Sequence, residues 1–230
     1  MGDQLPLPID KEFMTPSGKV ILDKVQRSML TCKGCKLSEH RKRVVVGEGA
    51  TDRPPVAFVG EAPGANEDNT GRPFVGPAGK LLNKMIGAMK LTRGQVFICN
   101  VVCCRPPENR KPERQEIVAC FKHLAQQLRA VRPRVIVALG ATSAQVLLQF
   151  RKPLGEYRNK WFAWEGVPLR VTFHPAFLIR PQGAPSKKAA WSDLQEVLKK
   201  VKELEEAENE AELDALAAHP TVSGDDIEEM

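Results

Sequence analysis

The sequence predicts an α/β fold, a three-layer α/β/α sandwich around a central, mostly parallel sheet. Short apolar runs at 55–59, 95–102, 134–140 and 167–172 have the length of buried strands, and segments of helical period separate them. The run at 55–59 leads into a long Gly/Pro-rich loop at 60–76 and then a helical pattern at 78–89. Strand, loop and helix in that order build a site at the carboxyl end of a sheet in α/β proteins. The loop is longer than a connector needs to be. It lacks the G-x-G-x-x-G order, and Gly79-Lys80 is followed by Leu81, so it is neither common phosphate cradle.

Taken in order, residues 1–18 are Pro-rich and polar and read as an arm with little structure of its own. Apolar positions 21, 22, 25, 29 and 30 predict an amphipathic helix over 20–30, which delivers Cys32-Lys33-Gly34-Cys35. A C-x-x-C with glycine inside lets two thiolates face one metal centre. By itself it suits half a zinc ribbon as well as an iron–sulfur site. The basic stretch 36–43 follows, with His40 among its cations in an exposed rather than a ligating setting. Asn100 interrupts the apolar run 95–102 near its end, and a buried amide there must be satisfied by a neighbouring turn or by a ligand.

Cys103-Cys104-Arg105-Pro106-Pro107 leaves that strand as a rigid turn. A helix over 113–131 then sets Glu113, Glu116, Ile117, Cys120, Leu124 and Leu128 at helical spacing. The strand at 134–140 is followed by a helix at 141–149, and Glu165-Gly166 joins the runs 161–164 and 167–172 as a hairpin. His174, fixed by Pro175, stands at the end of the last strand, a place for a catalytic loop residue or for a capping histidine. A final helix at 187–201 turns Trp191, Leu194 and Leu198 inward. A domain is therefore expected over 19–202, with an acidic tail at 203–230.

Composition narrows the function classes. A 230-residue chain with 42% hydrophobic residues can bury one full core. It has no apolar run near 18 residues and no signal-like start, so neither a membrane span nor secretion is expected. Six cysteines in such a chain point to metal or redox work rather than a disulfide framework. The net charge of +6 is uneven: eleven of the 28 acidic residues lie in 203–230, which has no Lys or Arg. The remainder sets 34 basic side chains against 17 acidic ones, an electrostatic footprint for nucleic acid.

Gly60-Glu61-Ala62-Pro63-Gly64, with Glu67-Asp68 and Gly71-Arg72-Pro73-Phe74-Val75-Gly76, resembles the first motif of the family 4, iron–sulfur uracil-DNA glycosylases. The resemblance runs from about Cys32 to about Leu198, through Asn100, Cys104-Arg105-Pro106-Pro107 and His174-Pro175, in the family's order. It implies a uracil-DNA glycosylase-like fold and a base excision repair enzyme. Such an enzyme flips uracil out of DNA and hydrolyses its N-glycosidic bond, leaving an abasic site. The resemblance also implies a [4Fe–4S] cluster on Cys32, Cys35, Cys104 and Cys120. Cys103 adjoins Cys104, and the Cys-Arg-Pro-Pro alignment chooses Cys104, leaving Cys99 and Cys103 as free thiols. The fifteen residues between Cys104 and Cys120 do not match a zinc ribbon, although four thiolates also accept zinc. Hydrolysis needs no electron transfer, so the cluster is read as a staple for basic loops near the DNA.

The same resemblance assigns the site. His174 donates to a uracil oxygen as charge develops there, and Glu61 orients or deprotonates the attacking water and faces the cationic sugar. Asn100 reads the uracil edge, Phe74 stacks on the base, and Glu67 walls the pocket where thymine carries its methyl group. Asn109 matches another residue implicated in the family, and Leu178 or its neighbours wedge into the vacated base stack. Ala62 stands where some other uracil-DNA glycosylases place a water-activating aspartate. Two alternatives stay open: a non-catalytic or covalent uracil-DNA binder, and a DNA-processing accessory module whose acidic tail docks a protein partner. The covalent branch uses a histidine in a basic loop, and residues 101–119 contain none. A monomer in the cytoplasm, associated with the nucleoid through DNA, completes the expectation.

Overall fold

The computed structural model describes residues 18–217, so most of the expected arm and the end of the acidic tail lie outside the described residues. The strands are β1 (Glu48–Gly49), β2 (Val56–Gly60), β3 (Phe97–Asn100), β4 (Val135–Leu139), β5 (Trp161–Trp164) and β6 (Val167–Thr172). They form one sheet in the order β1-β3-β2-β4-β6-β5. The four inner strands are parallel, while β1 and β5 pair antiparallel at the two edges. The helices are α1 (Gly18–Leu30), α2 (Leu37–His40), α3 (Ala65–Thr70), α4 (Pro77–Ala88), α5 (Arg114–Val131), α6 (Ala141–Leu148), α7 (Leu154–Tyr157), α8 (Pro175–Leu178) and α9 (Lys187–Ala217). Among the described residues, no helix is long and apolar enough to cross a membrane.

Both faces of the sheet are largely apolar because its inner strands are apolar except at Asn100 of β3 and Arg170 and Thr172 of β6, and the period of two divides their side chains between two cores. Ala57, Val59, Phe97, Cys99, Ile136 and Ala138 pack with Leu22 and Met29 of α1 and Leu124 and Leu128 of α5. Val56, Phe58, Ile98, Val135 and Val137 pack on the opposite face with Leu82 and Ile86 of α4 and Leu194 and Val197 of α9. Local signals set the boundaries. Pro77 opens α4. Glu113 caps α5 while Glu116 accepts the Glu113 N–H at 2.7 Å, and Arg132 ends that helix in the left-handed conformation. Glu165 (φ 47°) and Gly166 (φ 82°) form the left-handed turn that a tight hairpin requires.

Chain order makes the site. From β2 the chain crosses to β3 on one side, and from β4 it crosses to β6 on the other. The carboxyl ends of β2 and β4 therefore part, and the crevice between them is the switch point where α/β sheets bind ligands.

The domain boundary expected at 202 needs correction. Helix α9 continues to Ala217; Leu204 packs against the core, and Glu208 pairs with both Arg53 and Arg134. The acidic run begins inside a docked helix, because a few inward positions and two arginines at the amino ends of β2 and β4 hold it down.

Candidate active site and cysteine pocket

Gly60 ends β2, and a Cβ there would lie 2.4 Å from both Asn100 Oδ1 and Phe74 Cζ. Only glycine lets those two side chains meet over the strand end. The loop beyond is fixed from several sides. Glu67 accepts hydrogen bonds from the N–H groups of Val75 and Gly76, both at 2.8 Å, and of Gly64 at 3.1 Å. Buried Asp68 accepts from Lys42 N at 2.8 Å and Arg43 N at 3.3 Å, tying the loop to the basic stretch. Phe74 is buried with φ +50°, a left-handed conformation that an aromatic residue holds only at a cost. Arg93 supports it by donating to the carbonyls of Pro73 and Phe74 while pairing with Glu48 of β1.

These parts enclose a cavity of about 480 Å³, the size of a small-molecule pocket. Glu61, Ala62, Glu67, Phe74, Asn100, Asn109 and His174 all line it, as do Arg110, Ile179 and Arg180. Asn100 is 3% exposed, and its Oδ1 has no hydrogen-bond partner among the described residues. His174 caps α8: its Nδ1 accepts the Ala176 N–H at 3.1 Å, which leaves the neutral ring's proton on Nε2. That Nε2 is shut off from solvent and also has no partner among the described residues. Burial pushes the His174 pKa down, with Glu61 opposing and Arg180 assisting, so the ring is held neutral. The His174 and Phe74 rings lie 5.7 Å apart, tilted by 33°. Thr142, at the start of α6, donates to Glu61 Oε2 at 2.5 Å across the crevice.

Two orphaned polar atoms in one pocket are costly, on the order of 1–3 kcal/mol each, unless a ligand satisfies them. A flat base with a polar edge suits the arrangement: an acceptor at Asn100, a donor at His174, and the Phe74 ring alongside.

Other expected residues are placed differently. Among the described residues, the Glu67 carboxylate accepts from backbone N–H groups alone, so it shapes the loop as well as lining the wall. Asn109 is exposed at the rim with φ +56° and accepts from Arg105 Nε at 2.9 Å. Leu178 is corrected: it is 2% exposed and packed inward, because α8 turns it toward the protein. Its neighbours Phe177 and Ile179 are exposed by 37% and 47%, and Ile179 reaches the cavity. Thr142, Arg110 and Arg180 carry no local sequence signal; the folded positions of their partners reveal them.

Cys32, Cys35, Cys103, Cys104 and Cys120 line a second, smaller pocket between α1, α2 and α5, while Cys99 lies in the core. Nitrogen atoms approach the sulfurs. Arg41 donates to Cys104 Sγ at 3.2 Å, His123 Nε2 lies 3.4 Å from Cys32 Sγ, and Cys103 N donates to Cys120 Sγ at 3.3 Å. Burial raises the Cys104 thiol to about 11 against the pull of Arg41, whereas Cys120 is lowered, first by the Cys103 side chain. Among the described residues, no three His, Cys, Asp or Glu side chains are grouped to hold one ion. The cysteines instead ring a small space, a donor set that fits a multi-iron cluster in which each thiolate meets its own iron. His40 is exposed, as expected.

The segment that carries this mixed sheet and its crevice, residues 46–195, is matched by a family model, "Uracil DNA glycosylase superfamily". The chain belongs to that superfamily. Within it, the chain is 44% identical over 167 residues to a type-4 uracil-DNA glycosylase of Pyrobaculum aerophilum, covering 69% of this chain and 85% of the relative. Type-4 uracil-DNA glycosylases of Saccharolobus solfataricus and Thermotoga maritima are 42% and 40% identical to it. They cover 79% and 76% of this chain and 85% and 92% of their own lengths.

Proposed function

We propose that the chain removes uracil from DNA by hydrolysing its N-glycosidic bond, as the names of its relatives indicate for them. The observation that carries the reading is the pair of unpartnered polar atoms, Asn100 Oδ1 and His174 Nε2, in the pocket that Phe74 lines. Asn100 accepts from uracil N3–H with its oxygen and donates to O4 with its amide nitrogen. Cytosine reverses both demands and leaves buried groups unpaired. As the bond to N1 breaks, negative charge spreads onto the neighbouring O2. The His174 Nε2–H meets it there, a contact worth roughly 3 kcal/mol or about two decades in rate. Neutral imidazole suffices because Nδ1 is already occupied by the Ala176 N–H. Glu61 stays near the sugar, where it orients water and opposes the developing positive charge. Ala62 leaves room but no second carboxylate. Glu67 and Asn109 complete the walls, and Ile179 or Phe177 supplies the wedge into the vacated stack.

Cys32, Cys35, Cys104 and Cys120 would hold a [4Fe–4S] cluster, which when bound staples α1 and α5 to the basic stretch and supplies no redox step to hydrolysis. The N–H donors that Arg41 and the Cys103 backbone offer to Cys104 and Cys120 support this assignment. The catalytic domain extends from the start of α1 into α9, and it acts as a monomer on uracil-containing DNA in the cytoplasm. The acidic tail would be the docking segment for a protein partner. The test is a labelled strand carrying one uracil, incubated with the protein and treated with hot alkali. Cleavage at the uracil supports the enzyme. Retention of the strand without cleavage supports the binder and overturns this reading.

A further inference from the structure

We infer that Thr142 is the positioning residue for Glu61, and that the turn Gly140-Ala141-Thr142 braces both candidate catalytic groups from one side. The inference rests on Glu61 being the catalytic carboxylate proposed above. Strand β4 ends at Leu139, and Gly140 follows with φ +88°, a conformation closed to ordinary side chains. A Cβ at Gly140 would stand 3.1 Å from His174 Cβ, and the Gly140 N–H donates to Thr172 O at 2.8 Å. The glycine therefore lets the His174 loop lie directly against the end of β4. Two residues on, the Thr142 hydroxyl donates to Glu61 Oε2. Glu61 follows β2 and Thr142 follows β4, so this hydrogen bond spans the switch-point crevice itself.

Three features mark the contact as functional rather than a helix cap. The N-cap position of α6 is Gly140, which has no side chain, and the Thr142 hydroxyl turns to the carboxylate instead of to backbone. Among the described residues, no Lys, Arg or His forms an ion pair with Glu61, and the Thr142 hydroxyl is the hydrogen-bond partner of its carboxylate. A hydroxyl orients a carboxylate without cancelling its charge, whereas a guanidinium would spend that charge before the sugar became cationic. With one oxygen fixed, the carboxylate plane is set and the second oxygen is left for water.

The test compares single-turnover uracil excision by wild type, Thr142→Val, Thr142→Ser, Glu61→Ala and the double variant Thr142→Val/Glu61→Ala. Melting temperature and affinity for uracil-containing DNA are measured alongside. Thr142→Val keeps the shape and removes the hydroxyl. It is expected to slow the chemical step roughly ten- to hundredfold, with DNA affinity and melting temperature close to wild type. Thr142→Ser should keep most of the rate, and the double variant should be no slower than Glu61→Ala. Thr142→Ala is run in parallel in case the valine variant fails to fold. If Glu61→Ala is slow but the Thr142 variants excise within twofold of wild type, the positioning role is overturned and the reading of Glu61 stands. If Glu61→Ala is itself as fast as wild type, the proposed role of Glu61 fails, and this inference with it.

Discussion

Replacing Asn100 with aspartate tests the base-reading edge of the pocket. The change preserves size and the acceptor that faces uracil N3–H, but it swaps the amide donor for a carboxylate oxygen. Asn100 is 3% exposed at the end of β3, so water cannot cover the mismatch. Uracil O4 then loses a buried hydrogen bond, about 1–3 kcal/mol, and meets a repulsive oxygen in its place. Together these amount to about 3 kcal/mol, or on the order of 10²-fold in rate. Cytosine carries an amino donor at that same ring position and should lose far less, or gain. The assay is the ratio of uracil to cytosine excision by Asn100→Asp and wild type under single-turnover conditions, with melting curves to confirm folding. A variant that excises uracil within a few-fold of wild type, at an unchanged ratio, refutes the assignment and makes Asn100 a structural residue.

Three further outcomes follow from the structure. Burial lowers the folded-state pKa of His174 below its unfolded value near 6.5, so its contribution to stability is complete above that pH and is lost as pH falls toward the folded pKa. His174→Gln should therefore flatten unfolding free energy against pH below 6.5, by up to about 1.4 kcal/mol per unit, and identical slopes would show the ring to be unburied. Truncation after Lys202 removes Leu204 and the Glu208 pairs with Arg53 and Arg134, whose side chains are 21–51% exposed. Partly solvated pairs are worth about 0–1 kcal/mol each, so the melting temperature should fall by several degrees, and an unchanged value would return the boundary to 202. Anaerobically purified protein should be brown, with about four irons per chain. Cys104→Ala should abolish the colour and Cys103→Ala should keep it; the reverse would move the ligand set by one residue.

Much of the fold was legible because β2, β3, β4 and β6 are short apolar runs with one fate, burial between two helical layers. Edge strand β1 is two residues long, too short for any period, and it exists because Glu48 and Gly49 lie against Ile98 and Phe97. Helix α3 hid within the Gly/Pro-rich loop, since Asn66, Glu67 and Asp68 read as loop residues until Glu67 and Asp68 find backbone donors to hold. The extension of α9 was masked by its charge: seven carboxylates in 203–217 look like a tail unless Arg53 and Arg134 are known to wait beneath two of them. Asn100 and His174 were visible as polar residues at strand ends, where an apolar pattern makes them conspicuous. Thr142, Arg41 and His123 were not, because each acts on a partner 63 to 91 residues away and has an ordinary local setting. Leu178 itself is buried while its neighbours Phe177 and Ile179 are exposed, because one position on a helix is about 100° of rotation and decides between core and solvent.

The central claim, that this pocket turns uracil over rather than merely holding it, is tested most directly by chromatography of the small molecules released from uracil-containing DNA. Purified protein should liberate free uracil in amounts exceeding the protein itself, while DNA carrying thymine in its place yields no base. Tight binding of the uracil strand with no free base released would contradict the account.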